Sequence, residues 1–266
     1  MVTTSIEHHK PFQKLSLKAC IRDTVNRNMY VKGIDFNAND VFGNTAFHHA
    51  CKVGSVEVVE IFLNSPRIDY NSLNNAEESG IISSFYNECT SFITAFHNGH
   101  HHIVNHLLHS SKDKKIDVNV TNDHGQTVLH LCAMTFDNIM LRILLEHARN
   151  GLKIDVKDDF GCTALHYACK KGHYKILESF LMNPTKVDFN AQDHQGMTAF
   201  YKVFDLADTE MVKLFLKRAI RLNIDLNTTD DNGMTPFQKA CLNANGTMLK
   251  LMIKNPGGIN FNAQTS

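Results

Sequence analysis

Asp158-Asp159-Phe160-Gly161-Cys162-Thr163-Ala164-Leu165-His166-Tyr167-Ala168-Cys169-Lys170-Lys171-Gly172-His173 is the stretch that decides the architecture. Close copies of its centre begin at Thr45, Thr90, Thr127, Thr198 and Thr235, at intervals of 35 to 45 residues. A supersecondary unit repeated at such a period marks a stacked array, because one unit alone cannot bury its apolar face. Stacked units build long binding surfaces more often than catalytic pockets.

Working outward, each threonine is preceded by turn residues: Asn37 to Gly43, Asn119 to Gly125, Asn190 to Gly196 and Asn227 to Gly233. Asp, Asn and Gly cluster where the chain must turn, and Gly tolerates positive φ. Each threonine is then placed to cap a short helix by accepting from an orphan N–H. A second apolar segment follows, as in Val56 to Leu63, Ile103 to Leu108, Met140 to Leu145 and Met211 to Leu216, with apolar residues at helical offsets of three and four. Each unit reads turn, helix, tight turn, longer helix.

These residues resemble the ankyrin-repeat family, whose pattern runs roughly D-x-x-G-x-T-P-L-H-x-A-x-x-x-G-H. Asp158, Gly161, Thr163, Leu165, His166, Ala168, Gly172 and His173 match it. The resemblance implies an all-α repeat solenoid of helix-turn-helix units with β-hairpin-like finger loops and a concave face formed with the first helices. It covers about residues 34–262. Residues 34–266 are expected to hold six units and the start of a seventh hairpin, and residues 1–33 a capping half-repeat around Lys10-Pro11-Phe12-Gln13-Lys14. Ile259 to Gln264 restarts the hairpin before the chain stops, as either a cap or a cut through a longer array.

The departures are specific. The family proline occurs at Pro236 alone, and an insertion lies near residues 74–86, with Glu88 where glycine is expected. Phe136-Asp137 and Ala207-Asp208 stand where Gly-His is expected. The insertion is expected to weaken the junction of units one and two.

Composition points the same way. Among 266 residues, 27 basic and 27 acidic side chains balance, so no global field draws nucleic acid or an acidic membrane. No stretch approaches the ~20 apolar residues of a membrane span, and Met1 to Leu17 lacks the apolar run of a signal peptide. Seven cysteines without a CxxC spacing suit a reducing compartment. A cytoplasmic setting, or a nuclear one, is expected. Cys51, Cys132, Cys169 and Cys241 fall at small positions between paired helices and are expected to be buried. Cys162 is expected to be the most exposed thiol.

Sixteen histidines raise the question of metal, and His102 and His106, four apart on one helix, could share an ion. Two imidazoles leave a tetrahedral site incomplete, so no metal and no cofactor is expected. His48, His130 and His166 are instead expected to bridge the backbones of neighbouring turns. No phosphate loop, dinucleotide fingerprint, nucleophile elbow or H-E-x-x-H occurs, and no catalytic residue is assigned.

The resemblance implies where a partner would touch: the residues after the turn Asp, the residue before Thr, and those before Gly-His. Here these are Val41, Phe42, Asn44 and Lys52 in unit one and His124, Gln126 and Met134 in unit three. They continue with Asp159, Phe160, Lys170 and Lys171 in unit four, His194 and Met197 in unit five, and Asp231 and Met234 in unit six. Phe42, Phe160 and the three methionines are apolar where solvent would otherwise be met, which suggests an interface. The expected function is a monomeric, non-catalytic module, an adaptor, scaffold or inhibitor, that binds a protein. The alternative is the repeat portion of a larger enzyme, a channel or a host-directed effector.

Overall fold

The computed structural model describes residues 35–65, 67–75, 88–254 and 257–263. The expected half-repeat at 1–33 lies outside the described residues, as does most of the insertion. Six helix pairs follow one another: α1 (Ala46–Val53) with α2 (Val56–Leu63), α3 (Ser91–His97) with α4 (His101–Lys114), and α5 (Val128–Thr135) with α6 (Asn138–Glu146). Then come α7 (Ala164–Lys170) with α8 (Tyr174–Met182), α9 (Ala199–Leu206) with α10 (Thr209–Leu222), and α11 (Pro236–Leu242) with α12 (Gly246–Lys254). Short 3-10 turns at His147–Asn150 and Pro184–Lys186 extend two of the second helices. No helix of the described residues is long and apolar enough to cross a membrane.

First helices pack on first helices and second helices on second helices, giving two rows. Between them lies one continuous core. The residue two places after five of the six capping threonines anchors it: Phe47, Phe92, Leu129, Leu165 and Phe200 are all buried, and Phe237 is half-buried. The second row contributes Val59, Leu107, Leu144, Leu177 and Phe215. Because each unit covers its neighbour, burial depends on having a next unit. Cys51, Cys132 and Cys169 are buried accordingly. The expectation for Cys241 is corrected: it is exposed, since no further helix pair follows it among the described residues. Cys162 is half-buried, so it is not the most exposed of the described thiols.

The threonine–histidine signature acts as a stitch. Thr45, Thr127 and Thr163 donate their backbone N–H to Nδ1 of His48, His130 and His166 at 3.2, 3.0 and 3.0 Å. With Nδ1 occupied as an acceptor, each Nε2 carries the proton and donates across to the next unit. Its targets are the carbonyls of Cys89, Cys162 and Met197, at 3.0, 3.1 and 3.1 Å. Burial pushes all three rings below the ordinary histidine pKa, against the carbonyl hydrogen bonds. The expected bridging role is therefore what these histidines perform.

A second stitch runs along the loops. Asn37, Asn71, Asn119, Asn190 and Asn227 each accept, through Oδ1, a backbone N–H of the next unit. The donors are Asp69, Asp117, Lys153, Asp225 and Asn260, at 2.6–2.9 Å. Each also donates through Nδ2 to a carbonyl two residues before that donor. At unit four this position is Asp155, which accepts from Asp188 N–H at 2.8 Å and has no amide to donate.

Candidate partner-binding surface

Each complete fingertip is a five-residue loop closed by its first side chain. Oδ1 of Asp40, Asn122, Asp158, Asp193 and Asp230 accepts the N–H groups of the third and fifth residues at 2.8–3.0 Å. The fourth residue is glycine at positive φ, and at Gly161 a Cβ would lie 2.6 Å from the His194 ring. That close approach lets neighbouring fingertips join by backbone hydrogen bonds. His124 O accepts from Asp159 N–H, Phe160 O from His194 N–H, and Gln195 O from Asp231 N–H, each at 3.0 Å. Phe42 O accepts from Asn75 N–H at 2.8 Å.

That last bond fixes the register of unit two. Asn74 occupies the loop-closing position, and its Oδ1 accepts Cys89 N–H at 3.1 Å. Asn74–Asn75 (β1) pairs antiparallel with Glu88–Cys89 (β2). In this unit a strand pair therefore stands where the other units close a five-residue loop, and Glu88 sits in a strand that has no need of the glycine.

Locking the second and third residues of each fingertip through their backbones turns their side chains outward. Val41, Phe42, His124, Asp159, Phe160, His194 and Asp231 are all exposed, Phe42 by 41% and Phe160 by 62%. The residue before each threonine behaves otherwise, which corrects the expectation for Asn44 and Gln126. Both are buried and spent on lateral bonds: Asn44 Oδ1 accepts from Asn74 Nδ2 at 2.5 Å, and Gln126 Nε2 donates to Tyr167 Oη at 3.2 Å. Met197 and Met234 at the same place are half-buried, with the Met197 sulfur 3.3 Å from Lys202 Nζ.

The outer carboxylate oxygen of each fingertip acid meets the helix row. Asp40 Oδ2 bonds His49 Nε2 at 2.8 Å, Asp158 Oδ2 accepts from Tyr167 Oη at 2.6 Å, and Asp193 Oδ2 pairs with Lys202 Nζ at 2.5 Å. His49, Tyr167 and Lys202 all lie four residues after their threonines. In unit three the loop closer is the neutral Asn122, and the residue at that place is Leu131. Burial alone would raise the Asp193 pKa, but Lys202 and two backbone N–H groups hold it below the ordinary value.

At the ends of the first helices, Lys52 and Met134 are half-buried while Lys170 and Lys171 are exposed. Sequence reasoning did not assign Phe136 and Leu206 to this surface. They are 50% and 45% exposed, and they flank the Lys170-Lys171 helix end. The signal for Phe136 was present as the loss of Gly-His from unit three, and Leu206 stands at the repeat position that Lys171 holds in unit four. Phe136 takes the left-handed conformation, φ 65, in which glycine is favoured. A bulky residue there costs about 1–2 kcal/mol.

The histidine-rich stretch resolves into packing contacts. His100 Nε2 donates to Lys52 O at 2.9 Å, and His102 Nε2 to Gly54 O at 3.2 Å. His106 lies 4.0 Å from Glu60. Among the described residues no group of three or more His, Cys, Asp or Glu side chains could hold a metal.

Comparison with known proteins agrees with this geometry. The family description "Ankyrin repeats (3 copies)" matches residues 16–119, 92–193 and 179–265. A probable serine/threonine-protein kinase of Dictyostelium discoideum is 32% identical over 115 residues, which cover 42% of this chain and 13% of the kinase. Putative ankyrin repeat protein L371 of Acanthamoeba polyphaga mimivirus is 25% identical over 182 residues, covering 68% of this chain and 22% of that protein. Both curated relatives are thus several times longer than the segment they share with this chain. Among solved structures, the ankyrin repeat domain of Bcl-3, described as a unique member of the IkappaB protein family, is similar with a TM-score of 0.58. It is 27% identical, over 66% of this chain and 75% of that one.

Proposed function

The chain belongs to the ankyrin-repeat family, and from that premise we propose that it is a non-catalytic module binding a protein partner along its fingertips and first-helix row. Ankyrin repeats generally serve protein interaction. What carries the reading here is the pairing of a rigid backbone with exposed rings: Phe42 and Phe160 project from loops locked to their neighbours. A preorganised aromatic contact loses little freedom on binding, and aromatic anchors dominate interface energetics. The role is that of an adaptor or inhibitor acting by occlusion, as a monomer in the cytoplasm or nucleus.

Affinity capture compares the parent protein, Phe42→Ala/Phe160→Ala and the second-row control Glu178→Ala. A protein retained by parent and control but lost from the double variant, by about 2–4 kcal/mol of binding, supports the reading. A partner held equally by all three sinks it and directs attention to the insertion near residues 74–86.

A second reading rests on the kinase match: the repeats are the recognition portion of a longer polypeptide. It leaves the surface assignment unchanged.

A further inference from the structure

Three consecutive first helices of this chain end differently from one another, and together they make one patch. Helix α5 ends at Phe136, whose ring lies 5.1 Å from that of His173. Helix α7 ends at Lys170 and Lys171, two residues before His173. Helix α9 ends at Leu206, whose Cδ1 lies 3.5 Å from where a Gly172 Cβ would be. Phe136 and Leu206 therefore border the two lysines on either side, in contact with the same Gly172-His173 turn.

The lysines are available. Among the described residues neither ammonium enters an ion pair, whereas the exposed Lys175 and Lys213 of the second row pair with Glu178 and Glu210. Two acids at the neighbouring helix ends are occupied as helix caps: Asp137 accepts from Met140 N–H and pairs with His101, and Asp208 accepts from Glu210 and Met211 N–H. The helices α1, α3, α5, α7 and α11 contain no Asp or Glu at all. A lysine at a helix C-terminus also suits the helix dipole, but an exposed Phe136 and Leu206 do not serve that purpose. Phe136 is moreover kept in a backbone conformation made for glycine, with its ring half in solvent. Strain retained without full burial is a mark of functional use.

We propose that this patch, Phe136, Lys170, Lys171 and Leu206, docks an acidic peptide segment of the partner whose carboxylates sit between two apolar side chains. The ammonium pair meets the carboxylates, and the two apolar borders take the flanking side chains and exclude water from the charges. This deepens the reading of the fingertip and first-helix face and rests on it. Complementary charge would speed the encounter and set the register, while the apolar borders supply the burial.

A displayed library of random peptides is selected on the intact protein, and the enriched peptides are titrated against variants. The expected peptides carry acidic runs between leucine or aromatic residues. They bind Lys170→Glu/Lys171→Glu about tenfold or more weakly and weaken as salt rises. Phe136→Gly separates docking from folding: glycine suits the backbone, so the melting temperature is kept or raised while affinity falls. Enriched peptides that are neutral or basic, acidic peptides indifferent to both variants, or a library with no enrichment overturn the proposal. Peptides lost with Phe42→Ala/Phe160→Ala but kept by Lys170→Glu/Lys171→Glu overturn it while sparing the fingertip reading. Peptides indifferent to every one of these variants end both.

Discussion

Asp188 N–H donates to Asp155 Oδ2 at 2.8 Å, which brings two carboxylates together on adjacent loops. Five other units place asparagine where Asp155 stands, and each uses its Nδ2 to hold a carbonyl of the next loop. Asp155 keeps the acceptor half of that rung and loses the donor half. Burial and the Asp188 charge push its pKa up to about 6, against the stabilising N–H bond.

Asp155→Asn is accordingly expected to stabilise the stack. A carboxyl whose folded pKa lies above its unfolded value takes up protons on folding. Its penalty is full above about pH 6 and vanishes below the ordinary carboxylate pKa. Asp155 is only partly buried, so solvent screens part of the penalty, and the variant should gain about 1–2 kcal/mol at pH 7 and markedly less at pH 4.5. Urea denaturation of variant and parent at both pH values checks this. The difference between them is the readout, because the buried His48, His130 and His166 destabilise the parent as pH falls through the ordinary histidine range. A variant no more stable than the parent at pH 7 would refute the donor-loss argument.

The thiols divide by neighbour. Cys51, Cys132 and Cys169 are enclosed by the following helix pair, and burial raises all three pKa values. Cys241 occupies the same repeat position as Cys169 but is exposed. A thiol reagent on the folded protein should modify Cys241 rapidly. Cys89, raised to about 11, and Cys162, raised to about 12, should react slowly, and the three enclosed thiols more slowly still. Peptide mapping of a time course reads the order. Labelling of Cys169 as fast as Cys241 would contradict the packing.

Much of this was legible in the residues, and the rest had physical reasons for hiding. The capping threonines, the bridging histidines and the two helix rows repeat, so periodicity carries them. Cys241 misled because its position repeats while, among the described residues, no helix pair covers it. Asn44 and Gln126 sit at a place where the repeat leaves residue type free, and their burial follows from lateral partners, Asn74 and Tyr167, that no single unit contains. The fingertip role of Asn74 was hidden because a two-residue strand pair leaves no periodic trace. Phe136 looked like decay of the Gly-His turn, and Leu206 fell just before the decayed turn of unit five. Their contacts to His173 and Gly172, one unit away, make them part of a surface.

The buried pair of Lys202 and Asp193 allows the strongest stability prediction. Both side chains are almost wholly enclosed, with Nζ 2.5 Å from Oδ2. Asp193 Oδ1 meanwhile closes the fingertip by accepting Gln195 and Met197 N–H. Lys202→Met would leave that carboxylate buried and short of its cation, and removing one partner of such a pair costs about 3–5 kcal/mol. Lys202→Tyr should cost less, because a tyrosine hydroxyl already serves the equivalent Asp158 at 2.6 Å in unit four. The folded Asp193 pKa lies below its ordinary value, so the stability this group contributes is full above the ordinary carboxylate range. It is lost as pH falls through the folded pKa. Chemical denaturation of the three proteins at pH 7 should rank parent above Lys202→Tyr above Lys202→Met. If Lys202→Met matches the parent, the fingertip of unit five is held by its backbone hydrogen bonds alone and the ion pair is incidental.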